Sequence, residues 1–400
     1  MTIIWVTGTN GKTTSSNIIA RWLQESWKKV FMFTTANVIV NDETFTNYSK
    51  MTSPSPFELQ KWFQFAKKQG CDIAVIETAS HGILMHRIWG IDYDISVLTN
   101  ITQDHLDLHR TMENYVNTKL KIFSRLMYYK RKKWVKKTGI INNDSAYKQR
   151  FIDQTYDSLF TYGMKSGANI AAKNIKNTRD AMMFTAQMPG KNIEVKTALR
   201  WDFNIYNILA AIGVFASLWI EKEQAEKAIA NIECVPWRME EVKSKDNFSV
   251  FIDYAHTPDA LGNVLSTLSK IQWKWRIITV FWATWDRDKA KRPLMGQTVS
   301  EYSDVVIVTQ DDDYSENTQK IIKDILPWID RKQWEDFWII PDRKEAIRTA
   351  LVMAQKEDII LLAGKWDEHA IITNNWPIEY HEKTLVEQML KEIDDNTILK

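Results

Sequence analysis

Cysteine, glycine and long apolar runs are all scarce in this chain of 400 residues. Its two cysteines, Cys71 and Cys234, lie far apart and outside any C-x-x-C spacing, which argues against a zinc site or a disulfide framework. No apolar run is long enough to span a bilayer, and the N-terminus has no signal-peptide pattern. We therefore expect a cytoplasmic protein that does not insert into a membrane.

Net charge is also nearly absent, because 52 basic residues stand against 50 acidic ones and leave a formal charge of +2. Such a balance supplies no overall field that would attract nucleic acid or an anionic membrane. The hydrophobic content of 44% is enough to give each of two or three domains a core. We expect a globular protein with no nucleic-acid partner.

Short apolar runs alternate with amphipathic segments of helix length along most of the chain. Residues 2–6 lead through a glycine-containing loop into an amphipathic stretch at 13–24, which predicts strand, loop and helix. This alternation predicts an α/β fold with mostly parallel sheets. Residues 170–195 alternate more locally and predict an antiparallel insert. Further strands are predicted at 73–76, 95–98, 248–252, 276–281, 305–308 and 358–362.

A stretch that contains proline, residues 233–241, separates a predicted helix at 221–232 from a new series of strands. We place a domain boundary there. Residues 1–235 would form a domain of the P-loop ATPase type that binds ATP. Residues 236–400 would form a Rossmann-like α/β domain.

A candidate phosphate loop follows the first predicted strand and opens a helix. Backbone N–H groups there can converge on phosphate oxygens, the Lys12 ammonium can reach the terminal phosphates, and the Thr13 hydroxyl can bind Mg²⁺. Val6 stands where the strict motif has its first glycine, so the loop alone also fits a Gly-Asn turn before a capped helix. The loop residues are Gly8, Thr9, Asn10, Gly11, Lys12, Thr13 and Thr14.

The order Thr-Gly-Thr-Asn-Gly-Lys-Thr at residues 7–13 resembles the phosphate loop of the Mur ligases. Residues 76–82 resemble the E-x-S-S-H-G segment of that family, and residues 99–107 resemble its T-N-[IL]-x-x-D-H-L-D segment. Residues 253–261 and 286–296 are similar to the MurE type in particular, which adds the third amino acid to the peptide of the peptidoglycan precursor. The resemblance therefore runs along the whole chain.

This resemblance implies an ATP-dependent ligase that forms an acyl-phosphate on a carboxylate, which an amine then attacks. The substrates would be a UDP-muramoyl-peptide and an amino acid, with ATP and two Mg²⁺ ions. Lys119 matches the lysine that reacts with CO₂ in this family and becomes an anionic carbamate. The implied catalytic residues are Lys12, Glu77, His105 and Lys119. The implied metal ligands are Thr13, Glu77, His105 and Lys119.

The same resemblance implies further nucleotide contacts outside the phosphate loop. Asn204 and Asn207 match the N-x-x-N segment near the adenine, Arg238 matches an arginine that contacts phosphate, and Asp253 matches an acid that contacts ribose. Arg238 and Asp253 lie past the predicted boundary. We therefore expect the ATP site to close when the second domain moves in, which would keep water from the acyl-phosphate.

Substrate contacts also follow from the resemblance. The specificity loop reads Asp-Asp-Asp-Tyr at residues 311–314, where enzymes that add diaminopimelate have D-N-P-R, and an acidic loop favours lysine or another diamine. An arginine such as Arg287 can bind an α-carboxylate through two hydrogen bonds. The sugar-peptide contacts implied are Thr52, Ser53, Ser80 and Arg87. The amino-acid contacts implied are Arg287, Asp311, Asp312, Gly364 and Glu368.

The N-terminus departs from the MurE pattern. Enzymes of that type carry a uridine-binding domain before the phosphate loop, whereas this chain starts at the first strand. The uridine end would then be held by the remaining surface or by a partner, or the true acceptor lacks it. Folylpolyglutamate synthases also start at this loop and are the main alternative among enzymes. The third alternative is a catalytically inactive nucleotide-binding module.

Tryptophan outnumbers glycine, with 18 copies against 13 glycines, where average usage gives roughly 28 glycines in a chain of this length. Several tryptophans stand where the Mur ligases have glycine, and Trp27 and Trp219 fall at predicted helix ends, where glycine is common. We predict that many of them are encoded by UGA and are glycine in the cell; genuine tryptophans would favour the inactive module. The positions that match family glycines are Trp5, Trp201, Trp237, Trp282, Trp285 and Trp366.

Overall fold

The computed structural model divides into two compact units, Met1–Val235 and Pro236–Lys400. Each unit has its own sheet and its own buried core. Among the residues that the structure describes, no helix has both the length and the apolar character needed to cross a bilayer. The described residues are 1–47, 49, 51–178, 181–199, 201–230, 239–245, 248–271, 276–282, 291–310, 318–329, 331–365, 370–372, 377–379 and 381–394.

The sheet of the first unit is parallel at its centre and antiparallel at both ends. Its strands are β1 (Thr2–Thr7), β2 (Val30–Phe33), β3 (Asn37–Val40), β4 (Glu43–Thr46), β5 (Ile73–Glu77), β6 (Ile95–Leu98), β7 (Thr138–Asn142), β8 (Ser158–Gly163), β9 (Ile170–Asn177), β10 (Met182–Met188) and β11 (Lys191–Thr197). The strand order is β11-β10-β9-β8-β7-β6-β1-β5-β2-β3-β4, and β1 pairs in parallel with β5 and with β6. The carboxyl ends of these three strands therefore share one edge, the usual place for a ligand in such sheets.

Helices cover both faces of this sheet. They are α1 (Lys12–Glu25), α2 (Pro56–Lys68), α3 (Ser80–Leu84), α4 (Leu106–His109), α5 (Met112–Ser124), α6 (Lys148–Ile152), α7 (Asp202–Ser217) and α8 (Lys222–Ala230). Successive side chains of a strand point to opposite faces. Accordingly, Ile4 and Val6 join the core formed with α1 and α7, whereas Ile3 and Trp5 join the core formed with α2 and α5. Both faces of β1 are buried, as a central parallel strand requires.

The second unit is also an α/β sheet. Its strands are β12 (Glu240–Lys243), β13 (Ser249–Asp253), β14 (Ile277–Phe281), β15 (Val305–Val308), β16 (Phe337–Ile339), β17 (Ile359–Ala363), β18 (Ala370–Ile372) and β19 (Pro377–Glu379). Its helices are α9 (Pro258–Ile271), α10 (Lys291–Tyr302), α11 (Thr318–Ile325), α12 (Arg343–Met353) and α13 (Glu382–Asp394). The main sheet has the order β12-β13-β17-β14-β15-β16 and is parallel from β13 to β16.

The predicted α/β fold with mostly parallel sheets is confirmed. The apolar runs form β1, β5, β6, β13, β14, β15 and β17, and the segment with local alternation forms the antiparallel strands β9, β10 and β11. Sequence reasoning did not identify β2, β3 and β4. These short strands depend on pairing partners elsewhere in the chain: β2 pairs with β5 across the fold, β3 pairs with β2, and β4 pairs with β3.

Candidate active site

The phosphate loop joins the end of β1 to the start of α1. Gly11 lies at the N-cap of α1 in a left-handed conformation with φ 80°, and Thr13 and Thr14 are buried in the first turn of the helix. A helix N-terminus offers N–H donors and the positive end of the helix dipole, which together attract phosphate groups. Lys12 Nζ donates to Thr9 O at 2.7 Å, so the ammonium folds back over the loop. The loop thus has the position and charge that a triphosphate requires.

Gly8 is the point of closest approach between this loop and the chain that follows β6. A Cβ atom on Gly8 would lie 1.8 Å from Thr99 Oγ1 and 2.9 Å from the backbone N of Asn100. Two hydrogen bonds fix the same contact: Thr9 N donates to Asn100 O at 2.9 Å, and Asn10 N donates to Asn100 Oδ1 at 2.8 Å. The shape of the loop therefore depends on Gly8 and on Asn100.

Glu77 ends β5 with its buried carboxylate against the buried side chain of Thr13. Thr13 Oγ1 lies 3.1 Å from Oε1 and 3.0 Å from Oε2 of Glu77. Thr35 N donates to Glu77 Oε2 at 2.9 Å, which holds the carboxylate in place from the side of β2. Hydroxyl and carboxylate oxygens are the ligand types that Mg²⁺ prefers. Two predicted metal ligands thus lie in contact beside the phosphate loop.

Lys119 projects from α5 into the carboxyl edge of the sheet. Its side chain is 1% exposed, and Nζ donates to Gly8 O at 2.7 Å and lies 3.5 Å from Thr7 Oγ1. Burial, followed by the nearby charge of Lys12, holds the pKa of the Lys119 ammonium well below its ordinary value. In the described part of the chain, no carboxylate forms an ion pair with Lys119. The amine is therefore disposed to be neutral.

Tyr115 lies one turn before Lys119 and connects α5 to the loop. Its hydroxyl is 3.0 Å from Thr9 Oγ1, and Lys119 Nζ lies 4.8 Å from the centre of its ring. Thr9 Oγ1 donates to Thr102 O at 3.1 Å, so the Tyr115 hydroxyl is the donor to Thr9. Burial raises the pKa of Tyr115 above its ordinary value, which keeps this proton in place. Tyr115 thereby helps to fix both Thr9 and Lys119.

Three histidines gather beside the start of α3. The rings of His81 and His105 meet edge to face with centres 4.5 Å apart, and His105 Nε2 lies 3.3 Å from Asp104 Oδ2. The backbone of His105 is left-handed, with φ 55°, a conformation that residues other than glycine adopt rarely. His109 Nε2 lies 2.9 Å from Ser80 Oγ, and burial is the main cause that lowers the pKa of His109 to about 4. His109 is therefore neutral near pH 7.

Asn204 and Asn207 lie one turn apart on α7 and are buried against the start of α1. Asn207 Nδ2 donates to Asn204 Oδ1 at 3.0 Å, and Ser15 Oγ donates to Asn207 Oδ1 at 3.0 Å. A Cβ atom on Gly11 would lie 2.6 Å from Asn207 Oδ1. The structure thus brings the predicted N-x-x-N pair to the base of the phosphate loop.

The residues predicted to contact the sugar-peptide substrate form a second cluster in the first unit. Arg87 NH1 donates to Ser53 O at 3.1 Å, and Thr35 Oγ1 donates to Thr52 Oγ1 at 2.7 Å. Ser53 Oγ is buried and has no hydrogen-bond partner among the described residues. Because Thr35 also binds Glu77, this cluster is linked to the predicted metal site.

Asp253 ends β13 in the second unit and is held by the backbone. Its Oδ2 accepts from Met239 N at 2.8 Å, and its Oδ1 accepts from Ala255 N at 2.7 Å. Gly364 follows β17, and its N donates to Asp253 O at 3.0 Å, so two predicted contacts are neighbours. The predicted residues Arg238, Arg287, Asp311, Asp312 and Glu368 lie outside the described residues.

Sequence reasoning did not assign a role to several residues that shape this site. Asn100 holds Thr9 and Asn10, Tyr115 holds Thr9, and Thr35 holds Glu77. Asn100 stood inside the segment 99–107 that the family resemblance had singled out, and Tyr115 lies four residues before Lys119, which the resemblance had also singled out. Thr35 stood in no motif, because its contact with Glu77 depends on the pairing of β2 with β5.

The described residues contain no group of three or more His, Cys, Asp or Glu side chains placed to hold a metal ion. Mg²⁺ beside a nucleotide needs fewer protein ligands, because phosphate oxygens and water complete its shell. Thr13 and Glu77 meet that requirement.

The fold and this site define an α/β nucleotide-binding protein with a phosphate loop and an adjacent carboxylate. Residues 6–215 match the Mur ligase middle domain, and residues 237–366 match the Mur ligase, glutamate ligase domain. The chain belongs to the Mur ligase family, whose members are ATP-dependent ligases.

Individual relatives agree with this assignment. A UDP-N-acetylmuramoyl-L-alanyl-D-glutamate–2,6-diaminopimelate ligase of Caldanaerobacter subterraneus subsp. tengcongensis is 38% identical over 98% of this chain and 78% of its own. A solved structure of a ligase of that name is 27% identical, with a TM-score of 0.66 over 98% of this chain and 79% of the other. Folylpolyglutamate synthase of Mycobacterium tuberculosis, complexed with ADP, reaches a TM-score of 0.70 at 15% identity over 91% of this chain and 88% of the other, a likeness of fold alone.

Proposed function

We propose that this chain uses ATP to join an amino acid to the carboxylate of a UDP-N-acetylmuramoyl-dipeptide, in the manner of the MurE type. The contact between Thr13 and Glu77 beside the phosphate loop carries this proposal. It sets a hydroxyl and a carboxylate where the β- and γ-phosphates of ATP would end, at the N-terminus of α1. The relatives are named as ligases that act on this class of acceptor, which supports the choice of substrate.

The reaction would take place in two steps. An oxygen of the acceptor carboxylate attacks the γ-phosphorus of ATP, and ADP leaves. The amine of the incoming amino acid then attacks the acyl carbon, its proton is lost, and phosphate leaves with the carboxylate oxygen that attacked. Transfer between anions needs positive charge more than covalent help from the protein. Lys12 and the N-terminus of α1 would supply that charge.

Magnesium fits the residues present, because the Thr13 hydroxyl and the Glu77 carboxylate are hard oxygen donors in contact with each other. A bound Mg²⁺ would neutralise the β- and γ-phosphate oxygens of ATP. Thr35 N would keep the Glu77 carboxylate turned toward this position. We propose that His105 and a modified Lys119 serve a second ion.

We propose that Lys119 carries a carbamate in the active protein. A neutral amine is the form that attacks CO₂, and the buried position of Lys119 favours the neutral form. Addition of CO₂ to the neutral amine, with loss of one proton, would leave a carbamate anion near Lys12 that pairs with Lys12 or with a metal ion. The contact between Lys119 Nζ and Gly8 O would then place that anion at the phosphate loop.

In the second unit, Asp253 and Gly364 would serve the nucleotide and the amino acid respectively. Their mutual contact through Gly364 N and Asp253 O supports a common binding edge at the ends of β13 and β17. The backbone donors from Met239 and Ala255 leave the Asp253 carboxylate in a fixed orientation.

Phosphate release from ATP, followed with defined acceptors, tests this proposal. We expect release that requires both UDP-N-acetylmuramoyl-L-alanyl-D-glutamate and an amino acid, and a product whose mass equals that of an amide of the two. A folylpolyglutamate synthase would instead require a folate and glutamate. Phosphate release with the folate pair alone would move the assignment to that class, and no release with either pair would favour an inactive module.

The choice of amino acid is a separate proposal. The relatives are named for diaminopimelate, whereas the acidic sequence of residues 311–314 favours a diamine without a second carboxylate, such as lysine. Competition between equal amounts of lysine and diaminopimelate decides between them. A product mixture dominated by diaminopimelate would contradict the preference for lysine and leave the ligase assignment intact.

A further inference from the structure

Tryptophan occupies an unusual share of the backbone positions that favour glycine. Eleven non-glycine residues in the described part of the chain have positive φ, and four of them are tryptophans, although tryptophan is 18 of 400 residues. A bulky residue in the left-handed region is a conformational outlier. We call the four the turn tryptophans: Trp27 (φ 61°), Trp134 (φ 67°), Trp219 (φ 59°) and Trp334 (φ 71°).

The end of α2 shows what such a position normally holds. This helix closes with Gly70 at φ 76°, where Gly70 N donates to Lys67 O at 3.1 Å and Cys71 N donates to Ala66 O at 3.0 Å. This pair of hydrogen bonds is the Schellman motif, whose left-handed residue is usually glycine. The motif places that residue two positions after the last helical residue, Lys68.

Helix α1 ends in the same motif with tryptophan in place of glycine. Trp27 N donates to Gln24 O at 2.9 Å and Lys28 N donates to Leu23 O at 3.0 Å, which are the same relative positions as at the end of α2. Trp27 also lies two positions after the last helical residue, Glu25. Its side chain is 88% exposed, so no burial of the indole compensates for the strained backbone.

Helix α7 also ends in a Schellman motif with tryptophan in place of glycine. Trp219 N donates to Ala216 O at 3.4 Å, and Ile220 N donates to Phe215 O at 3.1 Å. Ile220 and Phe215 are both buried, which is the apolar contact that accompanies a Schellman motif. Trp219 itself is 76% exposed, and Lys136 Nζ lies 5.7 Å from the centre of its ring. Three helices therefore end alike, one with glycine and two with an exposed tryptophan.

Buried tryptophans add an independent observation. The indole nitrogens of Trp5 and Trp282 are buried without a hydrogen-bond acceptor among the described residues. The ring centres of Trp5 and Tyr93 are 3.6 Å apart, closer than the usual 4.5–7 Å between aromatic pairs. Trp282 Nε1 lies 2.5 Å from the point where a Cβ on Gly364 would be. A residue without a side chain would leave no unpaired donor at either position and no short ring contact at residue 5.

We infer that the turn tryptophans are glycines in the natural protein, together with Trp5 and Trp282. One codon accounts for all of these positions in this inference: UGA, read as glycine in the natural protein and as tryptophan in this sequence. The 18 tryptophans and 13 glycines together come close to the roughly 28 glycines that average composition predicts. With glycine at residue 5, the natural protein would have no indole in β1, the strand that leads into the phosphate loop.

The codons give the first test. We expect UGA at all four turn tryptophans and at Trp5 and Trp282, and peptides from the native cell with the mass of glycine there. UGG codons at the turn tryptophans, or native peptides that contain tryptophan at those positions, would overturn the inference. Neither result depends on the ligase activity, so the proposed function stands or fails separately.

Stability measurements on the full chain give the second test. We expect glycine at the four turn tryptophans to raise the Tm by about 2–4 °C for each position, because each substitution removes a strained left-handed residue. Trp62→Gly is the matched control. Trp62 lies on α2 and packs against Phe45 of β4 and Phe65 of α2, so loss of its side chain should lower the Tm. Gly70→Trp should lower the Tm as well. A Tm for the four-glycine variant that is equal to or below that of the tryptophan form would contradict the inference.

Discussion

Thr13 Oγ1 lies within 3.1 Å of both carboxylate oxygens of Glu77, although the two residues are 64 positions apart in the chain. The first turn of α1 carries the hydroxyl, and the end of β5 carries the carboxylate. The parallel pairing of β1 with β5 brings them to the same edge of the sheet. This contact joins the nucleotide site to the candidate metal site.

Glu77→Gln tests the metal role of this contact. The amide keeps the shape and can still bond to Thr13, but it removes the negative charge that would bind Mg²⁺. We expect kcat to fall by roughly 10²- to 10³-fold, the scale on which one electrostatic group in a transition state contributes. Higher Mg²⁺ should recover part of the loss. Glu43→Gln, an exposed acid on β4 of the same sheet, is the control; an equal loss there, or full activity of Glu77→Gln, would refute the role.

Lys119→Ala tests the carbamate. We expect ligation to be lost while ATP binding is largely kept, because Lys119 would act through its carbamate and not through the fold. Added short-chain carboxylates should restore part of the activity by taking the place of the carbamate. Removal of CO₂ and bicarbonate from the buffer should likewise lower the activity of the parent protein.

The control for Lys119 lies on the same helix. Lys121 is exposed on α5, so Lys121→Ala should keep full activity and show no response to added carboxylates. Full activity of Lys119→Ala without any additive would remove Lys119 from the mechanism.

Tyr115→Phe tests the support of the phosphate loop. The change deletes the hydroxyl that donates to Thr9 and keeps the ring beside Lys119. A hydrogen bond of this kind contributes about 1 kcal/mol, so we expect the KM for ATP to rise about 5-fold with a small change in Tm. Tyr128→Phe, at a tyrosine that is 87% exposed, should change neither value. An unchanged KM for ATP in Tyr115→Phe would show that the loop does not need this support.

Arg287→Ala tests the predicted contact with the α-carboxylate of the incoming amino acid. Loss of a bidentate, charged pair should raise the KM for the amino acid by about 10- to 100-fold and leave the KM for ATP nearly constant. Lys332→Ala removes a surface cation of the same unit and should change neither constant. Equal increases in both constants would point to a general disturbance of the unit instead of a lost contact.

Local patterns predicted much of the fold, because they report on local physics. The apolar run at β1, the glycines of the loop and the amphipathic α1 follow one another in the chain, so their order indicated a candidate phosphate loop, which the family resemblance then favoured over a simple turn. The alternation in β9 to β11 likewise predicted antiparallel strands. The place of β2 in the sheet depends instead on its pairing with β5 across the fold, which no local pattern encodes.

The parts of the site that sequence reasoning missed are long-range contacts. Tyr115 meets Thr9 across 106 positions, and Asn100 meets Asn10 across 90 positions. No local pattern encodes such a pair, because each partner is specified by the packing of a different helix or strand. The lowered pKa of Lys119 also depends on long-range packing. It arises from burial of the side chain and from the charge of Lys12, which α1 brings near.

Transfer of oxygen during a single turnover shows whether an acyl-phosphate forms on the acceptor. The acceptor is prepared with a heavy oxygen isotope at both oxygens of the carboxylate that receives the amine, and the phosphate released from ATP is examined by mass spectrometry. An acyl-phosphate pathway predicts one heavy oxygen in each phosphate released in step with amide formation, because the carboxylate oxygen that attacks the γ-phosphorus leaves with it. Unlabelled phosphate released together with the amide product would contradict the account.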